Sequence, residues 1–150
     1  MPKRYFLARW KEFIRDFTSL GDPVILFILL LLFVGIKKEL GFIILLWVFI
    51  EVASLLIRYF FFKDRPIKLP KKGFLEKSYA GTFPSMHTAR STFIYLVLFV
   101  LVNSPMRFLF LAILLFVGIT RVLLKTHYIT DILGGYIFGA LIFTLWWFVR

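Results

Sequence analysis

Residues 40–62 read LGFIILLWVFIEVASLLIRYFFF, 23 residues in which Glu51 and Arg58 are the only charges. At 1.5 Å per residue the run makes about 34 Å of helix, enough to cross the roughly 30 Å hydrocarbon core of a bilayer. It has no polar face of the kind a soluble surface helix needs. The stretch predicts a transmembrane helix with Glu51 near its middle and Arg58 near one end.

The flanking sequence repeats the pattern. His87–Val102, Met106–Leu124 and Ile132–Val149 predict three further spans. Pro23–Ile36 reads as a short span that Lys37 and Lys38 extend by snorkelling, or as a buried or re-entrant helix. Ahead of it, Phe6, Trp10, Phe13, Ile14 and Phe17 recur at helical spacing between Lys3, Arg4, Arg9, Lys11 and Arg15. Residues 1–20 are thus expected to form an amphipathic interfacial helix rather than a cleavable signal. Asn103, Ser104 and Pro105 make a tight turn. Residues 63–85, with three prolines and two glycines, form the one connection roomy enough for a functional loop. The expected fold is an all-α membrane bundle of five spans plus the interfacial helix, one domain over residues 1–150. Gly135 and Gly139 predict a close helix contact.

Composition agrees. The chain is 61% hydrophobic, above the roughly half of a soluble domain, and its mean hydropathy is +0.89. A net charge of +11 invites anionic partners. The cations sit at helix ends and in loops, which fits snorkelling to anionic lipid head groups at a membrane surface better than a solvated nucleic-acid patch. With no cysteine, disulfides and thiolate metal sites are excluded.

Counting spans from the long loop puts Arg58, Arg65, Ser85, His87, Arg121, His127 and Asp131 on one membrane face. Ionisable groups at a bilayer edge mark function. Guanidinium forks bind phosphate oxygens in pairs and stay charged. His127 and Asp131 are four apart and share a face if a helix begins near them, where a carboxylate on one imidazole nitrogen leaves the other basic and aimed. Two histidines and an aspartate could instead hold a metal, but three arginines would repel a cation. Deeper in the membrane, Glu51 and Arg90 are expected to pair. The loop residues Lys63, Lys68, Lys71, Lys72 and Lys77 read as a solvated, lipid-attracting face.

These residues resemble the phosphatidic acid phosphatase type 2 superfamily. Its signature has Lys, six residues and Arg-Pro; then Pro-Ser-Gly-His; then Ser-Arg, five residues, His, three residues and Asp. Here Arg58 precedes Arg65-Pro66 by the same six residues. Pro84-Ser85-Met86-His87 follows, then Thr120-Arg121, His127 and Asp131 at the family spacing. Arginine, methionine and threonine replace lysine, glycine and serine.

The resemblance implies metal-independent hydrolysis of a lipid phosphate or diphosphate, with no cofactor, such as polyprenyl diphosphate, phosphatidylglycerophosphate, phosphatidate or a lipid A phosphate. It implies that His127 is the nucleophile, that Asp131 orients it, and that His87 is the general acid. Arg58, Arg65, Arg121, the Ser85 hydroxyl and the Met86 amide would hold the phosphate. Met86 would be strained if the family glycine were there for positive φ. The alternatives are a head-group phosphotransferase of the same superfamily and a non-catalytic binder of anionic lipids. A count of flanking cations puts the site in the cytoplasm. The resemblance to outward-facing bacterial members implies instead an inner-membrane protein with its site towards the periplasm.

Overall fold

Seven α-helices are found among the described residues: α1 (Lys3–Thr18), α2 (Pro23–Phe33), α3 (Lys38–Phe60), α4 (Gly73–Ala80), α5 (Met86–Leu101), α6 (Arg107–Leu123) and α7 (Ile129–Val149). The computed structural model describes residues 3–34, 38–67, 69 and 71–150, and the side chains of all of these except 3–9, 11 and 38. The readings of Phe6, Lys37 and Lys68 therefore lie outside the described residues or side chains, as do those of Lys3, Arg4, Arg9, Lys11 and Lys38.

The bundle is built around α5. Its Ala89, Phe93, Ile94, Val97 and Leu98 are fully buried, and it packs against α2, α3, α6 and α7. The predicted glycine pair explains the closest of these approaches. A Cβ on Gly135 would lie 2.8 Å from the Ser85 carbonyl oxygen, and one on Gly139 would collide with the carbonyl of Ala89. Both glycines let α7 lie directly on the α5 backbone.

By length and composition, Glu39–Phe60 and Ile129–Val149 can each cross a membrane, and Glu12–Gly21 with Pro23–Phe33 passes the same test as a pair bent by 55°. The apolar pattern predicted five spans. α2 has 11 residues, about 16 Å of helix and half the hydrocarbon thickness. α5 and α6 have 16 and 17 residues, about 24–26 Å. The break between α1 and α2 is a 3-10 turn at Ser19–Gly21.

The stretch expected to be interfacial is helical as α1. Trp10 and Phe13 are exposed and stacked, while Ile14 and Thr18 turn inward. Phe17 packs on Phe116, and the Thr18 and Thr120 hydroxyls are 2.8 Å apart. The turn between α5 and α6 is also where the proline placed it, with Arg107 N–H donating to the Ser104 carbonyl at 2.9 Å.

The long loop differs from its reading, since it contains α4. Glu76 accepts the Lys72 amide at 2.7 Å and so satisfies one free donor at the helix start. Phe74 rests on the Tyr59 ring. Eight residues between prolines and glycines are too few to show a helical period.

The predicted Glu51–Arg90 pair is formed. Arg90 Nη1 donates to Glu51 Oε1 at 2.8 Å, Trp47 Nε1 donates to the same oxygen at 3.2 Å, and Arg90 Nε donates to the Gly21 carbonyl at 2.8 Å. The pair ties α3 to α5. Glu51→Gln removes the countercharge from a guanidinium that stays buried. Thermal unfolding in detergent is expected to show a loss of about 1–2 kcal/mol, below the cost for a fully buried pair because Glu51 is partly exposed.

Candidate active site

A cavity of about 580 Å³ opens between α2, α3, α5 and α6. Arg58, Arg65, Met86, His87 and Arg121 line one part, and Ile44, Trp47, Val48 and Leu55 of α3 line another. Five of the eight predicted site residues thus border one space. His127 and Asp131 lie beside it, with Arg58, Arg65 and Arg121 close enough to act on His127 by charge.

The three arginines differ in what they are bonded to. Arg58, only 2% exposed, donates from Nε and Nη2 to the Pro84 carbonyl at 2.9 and 2.6 Å. Arg65 donates from Nη2 to the Tyr79 carbonyl at 2.8 Å and from Nε to that of Gly81 at 3.4 Å. Both therefore pin the loop that leads into α5. The Arg121 guanidinium makes no hydrogen bond among the described residues, and its buried Nε is left unpartnered. A buried cation with no acceptor is costly. Its side chain lines the cavity wall.

Ser85 is the N-cap of α5. Its hydroxyl oxygen accepts from the Thr88 amide at 3.4 Å and the Thr88 hydroxyl at 3.0 Å, and it does not line the cavity. Met86 follows as the first helical residue. Among the described residues Lys125 is the non-glycine with positive φ, so methionine at 86 carries no left-handed strain. Its amide stands at a helix N-terminus, where donors are free and anions are favoured.

His127 and Asp131 depart from the direct contact the spacing predicted. Nδ1 of His127 lies 3.9 Å from Asp131 Oδ2, too far for a hydrogen bond. Thr82 stands between them. His127 Nδ1 is 3.0 Å from the Thr82 carbonyl and 2.9 Å from its hydroxyl, which in turn donates to Asp131 Oδ2 at 2.7 Å. A carbonyl only accepts, so Nδ1 carries the hydrogen and Nε2 keeps its lone pair. Asp131, fully buried, also accepts from Lys63 Nζ at 2.7 Å and from the Tyr128 amide at 2.8 Å. Lys63, read as a solvated loop cation, is thus the countercharge of the buried carboxylate.

Burial, followed by the charges of Arg58, Arg65 and Arg121, holds the His127 imidazole well below its ordinary range, against the opposing hydrogen bond to Thr82. The ring is neutral at working pH, with a lone pair free on Nε2.

Thr82 is the residue that sequence reasoning missed. Its one signal is a hydroxyl close before Pro84-Ser85-Met86-His87. Thr82→Val keeps the shape but leaves Asp131 Oδ2 without its hydroxyl donor. The unmade bond of about 1–3 kcal/mol corresponds to a fall in kcat of roughly 10- to 100-fold, at nearly unchanged KM. Steady-state kinetics on Thr82→Val and Thr82→Ser, the latter keeping near-native rates, checks this.

A family model described as the PAP2 superfamily matches residues 36–150. The chain is also similar to a solved transmembrane PAP2-type phosphatidylglycerolphosphate phosphatase from Bacillus subtilis, with a TM-score of 0.75 and 23% identity over 91% of this chain and 74% of that one. At that identity the likeness speaks to the fold alone. No curated protein matches the chain.

Proposed function

The chain belongs to the PAP2 superfamily, and on that premise we propose that it hydrolyses a phosphate monoester or diphosphate carried by a membrane lipid, through a phosphohistidine on His127. The observation that carries this reading is the unpartnered, buried Arg121 on the wall of a cavity shared with Arg58, Arg65 and His87. A phosphate would supply the acceptor that Arg121 lacks, and the charge growing on the phosphoryl oxygens would strengthen that contact in the transition state. The apolar wall of Ile44, Trp47, Val48 and Leu55 supports a phosphate attached to an apolar chain.

In the proposed reaction His127 Nε2 attacks phosphorus. The bond to the leaving oxygen breaks as His87 delivers a proton to that oxygen. Water then attacks the phosphohistidine, His87 takes the water's proton, and the N–P bond breaks to release phosphate. Asp131 acts through Thr82, which holds the Nδ1 hydrogen and so keeps Nε2 as the attacking atom. Arg58, Arg65, Arg121, the Ser85 hydroxyl and the Met86 amide are assigned to the phosphate. The periplasmic side of a bacterial inner membrane remains part of this proposal.

The test is phosphate release in detergent, with EDTA present, from phosphatidate, phosphatidylglycerophosphate, a polyprenyl diphosphate and a lipid A phosphate. Release from at least one of them, abolished in His127→Ala, is the expected result. Product that appears only with an added lipid acceptor assigns a phosphotransferase. Lipid binding without turnover overturns the enzymatic reading.

A further inference from the structure

Asp22 stands at the N-cap of α2, where an aspartate ordinarily accepts from the amides of its own helix. Here its side chain makes no such bond. Its Oδ1 lies 2.9 Å from Nε2 of His87 instead. The contact joins the N-terminal part of the chain to the first turn of α5, 65 residues away, and Asp22 lies outside residues 36–150 that the family matches.

The contact is held in place by its surroundings. The turn between α1 and α2 sits tightly on α5 and α6, since a Cβ on Gly21 would lie 2.8 Å from Val117 Cγ1 and 2.9 Å from Ser91 Oγ. Two further bonds from α5 fix the same turn. Tyr95 Oη donates to the Leu20 carbonyl at 2.8 Å, and Arg90 Nε donates to the Gly21 carbonyl at 2.8 Å. His87, Arg90 and Tyr95 thus grip three consecutive residues of the turn.

We propose that Asp22 is a positioning residue for His87, holding its Nε2–H so that Nδ1 faces the cavity and exchanges the proton with the leaving oxygen. The proposal rests on the phosphatase reading given above. His87 lines the cavity, and its Nδ1 makes no hydrogen bond among the described residues. The charged and titratable groups acting on His87 are Arg121 of α6, Arg90 of α5, His127 of the loop before α7 and Arg58 of α3. Three of these neighbours are arginines, and a general acid has to hold an extra proton among them. Asp22 is the carboxylate in direct contact with the ring, and opposite charge at hydrogen-bond distance favours the protonated form. The proton balance is closed. Nδ1–H goes to the departing oxygen as the P–O bond breaks, Nε2–H stays on Asp22, and Nδ1 regains a proton from the attacking water.

A general acid matters most for a leaving group that must be protonated, and little for one that departs as a stable anion. The test compares Asp22→Asn on a long-chain alkyl phosphate, whose alkoxide needs the proton, and on 4-nitrophenyl phosphate, whose phenolate does not. The expected result is a fall in kcat of about 100-fold on the alkyl ester and less than about threefold on the aryl ester. In a His87→Ala background Asp22→Asn is expected to add no further loss on the alkyl ester. Tyr95→Phe, which loosens the same turn without touching His87, is expected to leave the ratio between the two substrates unchanged. Equal losses on both substrates, no loss on either, additive losses with His87→Ala, or a shifted ratio in Tyr95→Phe would overturn the proposal while leaving the phosphatase reading intact. Release that persists in His127→Ala removes that reading, and the proposal with it.

Discussion

Phosphate release by His127→Ala is expected to fall at least about 10⁴-fold, with KM changed far less, because in the proposed mechanism the substitution removes the attacking atom and leaves the arginines assigned to the phosphate. Nδ1–H is committed to the Thr82 carbonyl at 3.0 Å, so Nε2 is the nitrogen with a free lone pair, and it has no competing partner among the described residues. Loss of fold is separable from loss of chemistry through His127→Asn, whose amide can still donate to Thr82. That variant is expected to unfold near the native temperature and to be as inactive as alanine. An asparagine variant with a tenth or more of native activity would place the nucleophile elsewhere.

Arg121→Met is expected to move activity and stability in opposite directions. Arg121 is 9% exposed and has an unpartnered Nε, so it is a buried cation whose desolvation is only partly offset by the charge of Asp22. An apolar side chain of similar length is expected to raise stability by about 1–3 kcal/mol in the absence of substrate. Activity is expected to fall about 10³-fold or more, as when a transition-state arginine is removed from other phosphoryl-transfer sites. Arg58→Met gives the contrast. Arg58 holds the Pro84 carbonyl with two bonds, so its loss is expected to lower both stability and activity. Thermal unfolding and initial rates on the two variants separate an arginine that serves the phosphate alone from one that also ties the loop. If Arg121→Met destabilises the protein, Arg121 is a structural residue.

The sequence showed the site more fully than the fold around it, for physical reasons. Arg58, Arg65, His87 and Arg121 were legible because charges at helix ends are expensive in a bilayer, and their spacing places them on one face. The cavity they line follows from that placement. Glu51 and Arg90 were legible for the same reason, as two opposite charges at similar depth.

Thr82 was not legible. Its part depends on a carbonyl and a hydroxyl reaching across from another segment, and no periodicity records such a contact. Lys63 read as one more loop cation because its partner, Asp131, is 68 residues away. Asp22 carries no sequence signal of its contact with His87, which is 65 residues away. α4 was hidden by its shortness. The number of spans is the least legible feature, since α2, α5 and α6 are all shorter than a lone transmembrane helix. Inside a bundle their neighbours, rather than lipid alone, cover much of their surface.

The most direct measurement of the central claim is a rapid-quench reaction with substrate labelled at the transferred phosphorus, followed by peptide mapping of the denatured protein. The account predicts a transient phosphoryl group that survives alkali, is lost in acid and maps to His127, and that is absent from His127→Asn. Label on any other residue, or a burst of product with no covalent phosphoprotein, would contradict it.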